Sequence, residues 1–237
     1  DNAANQLVIR RLLDRLGHAC VIVPDGGGAL EALARERFDA VLMDCQMPGV
    51  DGYTATRRIR SGEVAGVDPK VIIIALTAYA MPSDRQTCLV AGMDDYVAKP
   101  VRLESLREAL QRWGISADNA PSAALMPAPS PSAPSVAPGD LLDPAQVAML
   151  RELPGRKSAS LLEELIGIFL RETPGLLAEI EALAATQQTE RLALLAHRLA
   201  GSAGNLGAGA LRAGGLALEE TVKRGDWPRV PERLAAV

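Results

Sequence analysis

Short apolar runs alternate with amphipathic stretches over the first half of the chain, and only amphipathic stretches follow in the second half. Val71 to Leu76 (Val-Ile-Ile-Ile-Ala-Leu) reads as a buried strand on apolarity and β-branching, and so do Ala19 to Val23, Asp39 to Asp44 and the shorter Tyr96 to Ala98. Helical stripes fill Asn5 to Leu16, Ala29 to Arg37, Tyr53 to Arg60, Pro82 to Ala91 and Leu103 to Trp113. Such alternation predicts an α/β doubly wound parallel sheet. The first strand is expected to be missing, since the chain opens at Asp1-Asn2 as though a central strand had been cut away before it. Later in the chain, Leu161, Leu162, Leu165, Ile166 and Phe169 recur at helical spacing, as do Leu176, Leu177, Ile180 and Leu183 beyond Pro174. Leu192, Leu195 and Leu199 mark a third helix, and Leu211, Leu216 and Leu218 a fourth. The second half is therefore a separate all-α helical bundle, with these stripes as its core.

Six prolines, Pro121, Pro127, Pro129, Pro131, Pro134 and Pro138, lie among Ala and Ser between the two patterns. So little apolar surface cannot offset ordering entropy, and the segment is expected to be a semi-extended tether. Polyproline geometry gives it a reach of about 60–70 Å. The expected organisation is one domain over 1–115, a linker over 116–140 and a second domain over 141–237.

Composition narrows the function classes. A net charge of −4 without a Lys/Arg-rich stripe argues against nucleic acid as a partner. Neither a membrane-length apolar run nor a signal-peptide pattern is present, so no membrane contact by this fragment is expected. Cys20, Cys45 and Cys88 lack zinc spacing and read as reduced thiols. Cys45 is expected to be a packing residue. The expected location is the cytoplasm, either free or as the cytoplasmic portion of an inner-membrane sensor kinase.

Four polar residues fall at strand ends: Asp1, Asp44, Thr77 and Lys99. Parallel strands bring their carboxyl ends to one edge, where open α/β sheets bind ligands. Neighbouring carboxylates repel unless a cation intervenes, and hard oxygen donors in an open crevice suit Mg²⁺. A metal, an ammonium, a hydroxyl and a carboxylate together suit a phosphoryl group in transfer. Asp94 and Asp95 read as surface charge. Gly26-Gly27-Gly28 lacks the residues that would complete a phosphate-binding loop.

Four segments in order resemble response-regulator receiver domains: Asp1-Asn2-Ala3-Ala4-Asn5, Met43 through Gly52, Leu76-Thr77-Ala78, and Ala91 through Pro100. Their wording is most similar to receivers fused to hybrid sensor histidine kinases. The resemblance implies that Asp44 is the phosphoacceptor and that Asp1, Asp44 and the backbone carbonyl of Gln46 hold Mg²⁺. It further implies that Lys99 pairs with the phosphoryl oxygens, that Thr77 and Tyr96 act as switch residues, and that Lys99-Pro100 is cis. One departure is the acid pair expected after the first strand, of which only the second member is present.

In the bundle the informative residue is His197, one of only two histidines; His18 reads as a turn residue. At about 100° per residue, His197 lies nearly opposite the Leu192, Leu195 and Leu199 stripe, which predicts a wet face with Gly201 and Gly204 leaving clearance for a partner. His197 through Ala208 resembles the histidine phosphotransfer motif, which implies that His197 accepts and donates phosphate. The position three after the histidine is commonly lysine in that family and is Ala200 here.

The function expected is therefore a two-component phosphorelay module. Asp44 takes a phosphoryl group from an upstream phosphohistidine, on a histidine kinase core expected on the same polypeptide. His197 carries the group to a downstream response regulator. No ATP-site motif appears, so the chain transfers phosphate without a kinase core of its own. The alternatives are a docking module that inhibits a kinase, or an aspartyl-nucleophile phosphatase. The phosphatase usually needs a second acid where Gln46 stands.

Overall fold

The computed structural model describes residues 3–47, 49–78, 82–115, 141–155 and 160–237. Asp1 and the expected linker lie outside the described residues. Two compact units appear, one holding Leu12–Asp118 and the other Asn119–Val237 together with Asn2–Arg11.

Helix α1 (Ala3–Arg15) and helix α2 (Gly26–Arg35) precede strand β1 (Ala40–Asp44), helix α3 (Gly52–Arg60) and strand β2 (Ile72–Thr77). Helix α4 (Pro82–Val90), strand β3 (Asp95–Ala98) and helix α5 (Leu103–Arg112) complete the α/β unit, to which α1 contributes only its last turn, from Leu12 onward. Among the described residues the sheet is parallel and three-stranded, in the order β1-β2-β3, with Asp44 beside Leu76 and Thr77 beside Ala98. All three strands therefore end at one edge. Strand β2 is central, and Ile73, Ile74 and Ala75 in it are wholly buried. One core cluster gathers Ile73 and Ala75 with Leu30, Leu33, Met43, Ala55, Ile59, Cys88 and Met93.

The expected strand at Ala19–Val23 does not form among the described residues. A strand exists through its ladder, and local apolarity cannot supply the neighbour. Two tight approaches shape the loop after β1. A Cβ added at Gly26 would come within 2.5 Å of the Val50 carbonyl oxygen, so the start of α2 packs directly on this loop. Asp51 caps α3 by accepting from the Thr54 amide at 2.8 Å.

Arg60 ties the sheet to the helices. Its guanidinium donates to the carbonyls of Gly92 (2.7 Å), Pro69 (2.6 Å) and Val71 (2.9 Å) and to Oδ2 of Asp94 (2.6 Å). Asp94 also accepts from the Ile73 amide at 2.7 Å, and Asp95 accepts from Arg112 and Trp113. Neither aspartate is the loose surface charge expected of it. Each fastens a helix or loop to the sheet edge.

The helical unit contains α6 (Pro144–Glu152), α7 (Leu161–Ala185), α8 (Thr189–Asn205), α9 (Gly209–Lys223), a 3-10 turn (Trp227–Arg229) and α10 (Val230–Ala235). Ser160 and Glu163 form a reciprocal capping box that starts α7. Helix α7 is continuous through Pro174, where two helices were expected. Pro174 and Leu170 are exposed, so the carbonyl that loses its partner can take water instead. Leu176, Ile180, Leu183, Leu192, Leu199, Leu218 and Val222 form the core. Among the described residues no helix is long and apolar enough to cross a membrane.

Candidate functional site

The sheet edge brings Asp44, Thr77 and Lys99 together. Lys99 follows β3, and its amide donates to the Thr77 carbonyl at 2.7 Å, which fixes where its side chain starts. Its ammonium reaches across the end of β2 and donates to Oδ2 of Asp44 at 2.5 Å. The two side chains are only 11% and 13% exposed, so little water shares their charge. Charges so shut away are stable only as a pair. The other oxygen, Oδ1, accepts from the Gln46 amide at 3.2 Å. Lys99-Pro100 is cis.

Gly52 shapes the floor of this site. A Cβ there would stand 2.1 Å from the Asp44 carbonyl oxygen, so α3 can begin against the strand end only with glycine. Beneath Asp44, the Cys45 and Cys88 sulfurs lie 3.8 Å apart, both buried. The hydrogen bond with Cys88, then burial, push the Cys45 thiol upward, leaving a packed thiol with no thiolate character.

In the helical unit, His197 is 3% exposed. The expected wet face is thus corrected. Helix α8 has a second buried stripe beside its leucines, made of Ala193, Ala196, Ala200, Ala203 and Gly204, and α9 packs there. A Cβ on Gly215 of α9 would lie 3.0 Å from Cβ of Ala200 and 3.1 Å from the Ala196 carbonyl. The space above Gly204, expected to stay open, is taken by the Arg212 stem, whose Cδ would be 2.9 Å from an added Cβ. Small residues here serve a close helix crossing.

The crossing aligns one group with the imidazole. Nδ1 of His197 lies 3.0 Å from Oε2 of Glu219, which is wholly buried. Oε1 of the same carboxylate accepts from Lys223 Nζ at 2.6 Å. Burial pushes the Glu219 carboxyl up, but the hydrogen bond and charge of His197, with those of Lys223, outweigh it and hold it below its usual value. A carboxylate acceptor places the proton of a neutral ring on Nδ1, which leaves the lone pair on Nε2.

Residues 1–111 match the response regulator receiver domain family, and residues 164–237 match the Hpt domain family. The chain is a receiver domain followed by a histidine phosphotransfer domain. It is 33% identical over 222 residues to the virulence sensor protein BvgS of Bordetella bronchiseptica, covering 93% of this chain and 17% of that protein. It is 35% identical over 215 residues to the sensor histidine kinase AruS of Pseudomonas aeruginosa, covering 90% and 19% respectively. The chain thus spans less than a fifth of the length of these relatives. The solved receiver domain of a P. aeruginosa sensor histidine kinase, with magnesium in its active-site cleft, is 50% identical over 48% of this chain and 90% of that one, at a TM-score of 0.43. The domain pair is that of a two-component phosphorelay module.

Within the receiver domain, Thr77 is 4% exposed and Tyr96 half-buried, with the Arg85 guanidinium 5.7 Å above the Tyr96 ring. Within the HPt domain, Ala200 packs at the α8–α9 crossing, which leaves no room there for a lysine. Glu219 and Lys223 were not singled out in the sequence, where Glu219-Glu220 looks like ordinary helix surface. A signal exists in the spacing. Gly215, Glu219 and Lys223 recur every four residues, so the glycine that lets α9 approach shares a stripe with the acid and the cation.

Proposed function

We propose that Asp44 takes a phosphoryl group from an upstream phosphohistidine and that His197 passes it to the aspartate of a response regulator. The observation that supports this best is the shielded Lys99–Asp44 pair at the sheet edge. An Asp44 oxygen attacks phosphorus, the donor's P–N bond breaks, and the electron pair leaves with the donor imidazole. Lys99 stays where it is and exchanges a carboxylate oxygen for phosphoryl oxygens, as a mobile point charge can. Nε2 of His197 then attacks the acyl phosphate, and the pair of the broken P–O bond returns to Asp44. The ring is buried, so this second step includes an opening that bares Nε2.

Magnesium fits the donors in kind. Oδ1 of Asp44 and the Gln46 carbonyl are hard oxygens at one edge, and a hydrated Mg²⁺ needs few protein ligands. Asp1 is the third proposed ligand. When bound, the metal would balance charge on the phosphoryl oxygens. The partners are a kinase core, on the same polypeptide, and a separate response regulator. Thr77 and Tyr96 report the phosphorylated state to them.

The test is radiolabelled acetyl phosphate with Mg²⁺. Acid-stable, alkali-labile label should appear at Asp44 first, followed by alkali-stable label at His197. Asp44→Asn should abolish both and His197→Gln only the second. Full labelling of the Asp44→Asn chain would overturn the reading.

A further inference from the structure

We infer that Lys223 is a positioning residue for phosphotransfer, acting through Glu219 to keep the attacking lone pair on Nε2 of His197. The inference rests on the reading that His197 takes the phosphoryl group. Glu219 has no exposed surface and two partners: His197 Nδ1 at 3.0 Å and Lys223 Nζ at 2.6 Å. A buried carboxylate needs a compensating positive charge. A neutral imidazole supplies a hydrogen bond but no charge, so while the ring is nucleophilic the charge comes from Lys223.

Removing the Lys223 ammonium leaves Glu219 two ways to lose its bare charge. It can bind a proton, donate to Nδ1 and force the ring's own proton onto Nε2. Alternatively it can draw a second proton onto the imidazole. Either outcome occupies Nε2, and a protonated nitrogen has no pair to give. With Lys223 in place neither is needed. When Nε2 attacks, the N–P bond forms as the acyl P–O bond breaks. The positive charge gained by the ring falls on Nδ1–H, which already points at an ionised carboxylate. No proton has to move. The ammonium thus acts beneath the ring, from the end of α9, while position 200 is given over to packing.

Lys223 is half exposed at a helix end, so Lys223→Met should leave the fold intact, with circular dichroism as the check. In the full chain carrying labelled Asp44, Lys223→Met should slow the appearance of label on His197 by about tenfold to hundredfold, the scale of one charge-assisted hydrogen bond. Lys223→Arg should restore most of the rate. The ¹⁵N spectrum of the His197 ring should show the proton on Nδ1 in the unmodified chain and on Nε2, or on both nitrogens, in Lys223→Met. A neutral Glu219→Gln needs no counter-charge, so adding Lys223→Met to it should change nothing further. An unmodified rate in Lys223→Met overturns the inference. So does slowing by Lys223→Met in the Glu219→Gln background, which would place the ammonium on the phosphoryl group itself. Absence of label on His197 in the unmodified chain would instead sink the phosphotransfer reading.

Discussion

Lys99 donates to Asp44 across an intervening strand. Their strands, β3 and β1, are not neighbours, and β2 separates them. Two strand spacings amount to about 10 Å. A side chain shorter than lysine would not cover that span. The pair is therefore a product of the whole sheet, and it marks the edge at which the proposed phosphoryl transfer would take place.

Lys99→Met should lower phosphorylation of Asp44 by acetyl phosphate by about tenfold or more, since the buried carboxylate loses its only described cation. Lys99→Arg should recover little, because a planar fork cannot replace a point charge at that position. Labelling rates with matched Mg²⁺ check both. A Lys99→Met chain labelled at the unmodified rate would remove Lys99 from the mechanism.

Gly52→Ala should damage the same site from below. The added methyl would stand 2.1 Å from the Asp44 carbonyl oxygen, and backbone on both sides would have to move. A loss of about 1–3 kcal/mol in receiver stability is expected, together with slower labelling. Urea titration and acetyl phosphate labelling of one preparation measure the two effects.

Arg60→Ala removes a guanidinium that serves three carbonyls and Asp94. The ion pair is about a quarter exposed, so most of the loss comes from stranded backbone acceptors rather than from the charge. The expected cost is about 2 kcal/mol or more. Asp94→Asn, which keeps one acceptor for the Ile73 amide, should cost less. Denaturant midpoints rank the pair.

Acid should loosen the HPt domain through Glu219. Its folded carboxyl lies below the usual 4.5, so the native state holds its proton less tightly than the unfolded chain does. That contribution is complete above the unfolded value and disappears as pH falls below it through the depressed folded one. Melting temperature should drop over this acid range, and Glu219→Gln should flatten the drop. Melting-temperature profiles of the two chains that run parallel through this acid range, with no narrowing of the gap between them, would contradict the assigned charge.

The three strands and most of the helices were legible because their patterns are local. Val71 to Leu76 has no other way to bury six apolar residues, and Gly92, at φ 98°, closes the turn before β3. Asp44 and Lys99 were legible through their places at strand ends. What escaped depended on neighbours. Ala19 to Val23 needed a ladder partner, and Pro174 depended on which side of α7 meets water. His197 looked exposed because its leucine stripe was taken as the sole packed face, while the alanines and glycine of α8 form a second one. Glu219 follows His197 by 22 residues and meets it only after α8 and α9 cross.

The bare backbone at Gly215 reaches further than its size suggests. Glu219 stands one helical turn beyond it, about 6 Å along α9. A methyl group there would press on α8 at Ala196 and Ala200 and displace the crossing by a few tenths of an ångström, shifting the carboxylate against the imidazole with neither member of the pair altered. The aim of the nitrogen proposed as nucleophile thus depends on a hydrogen atom a full turn away.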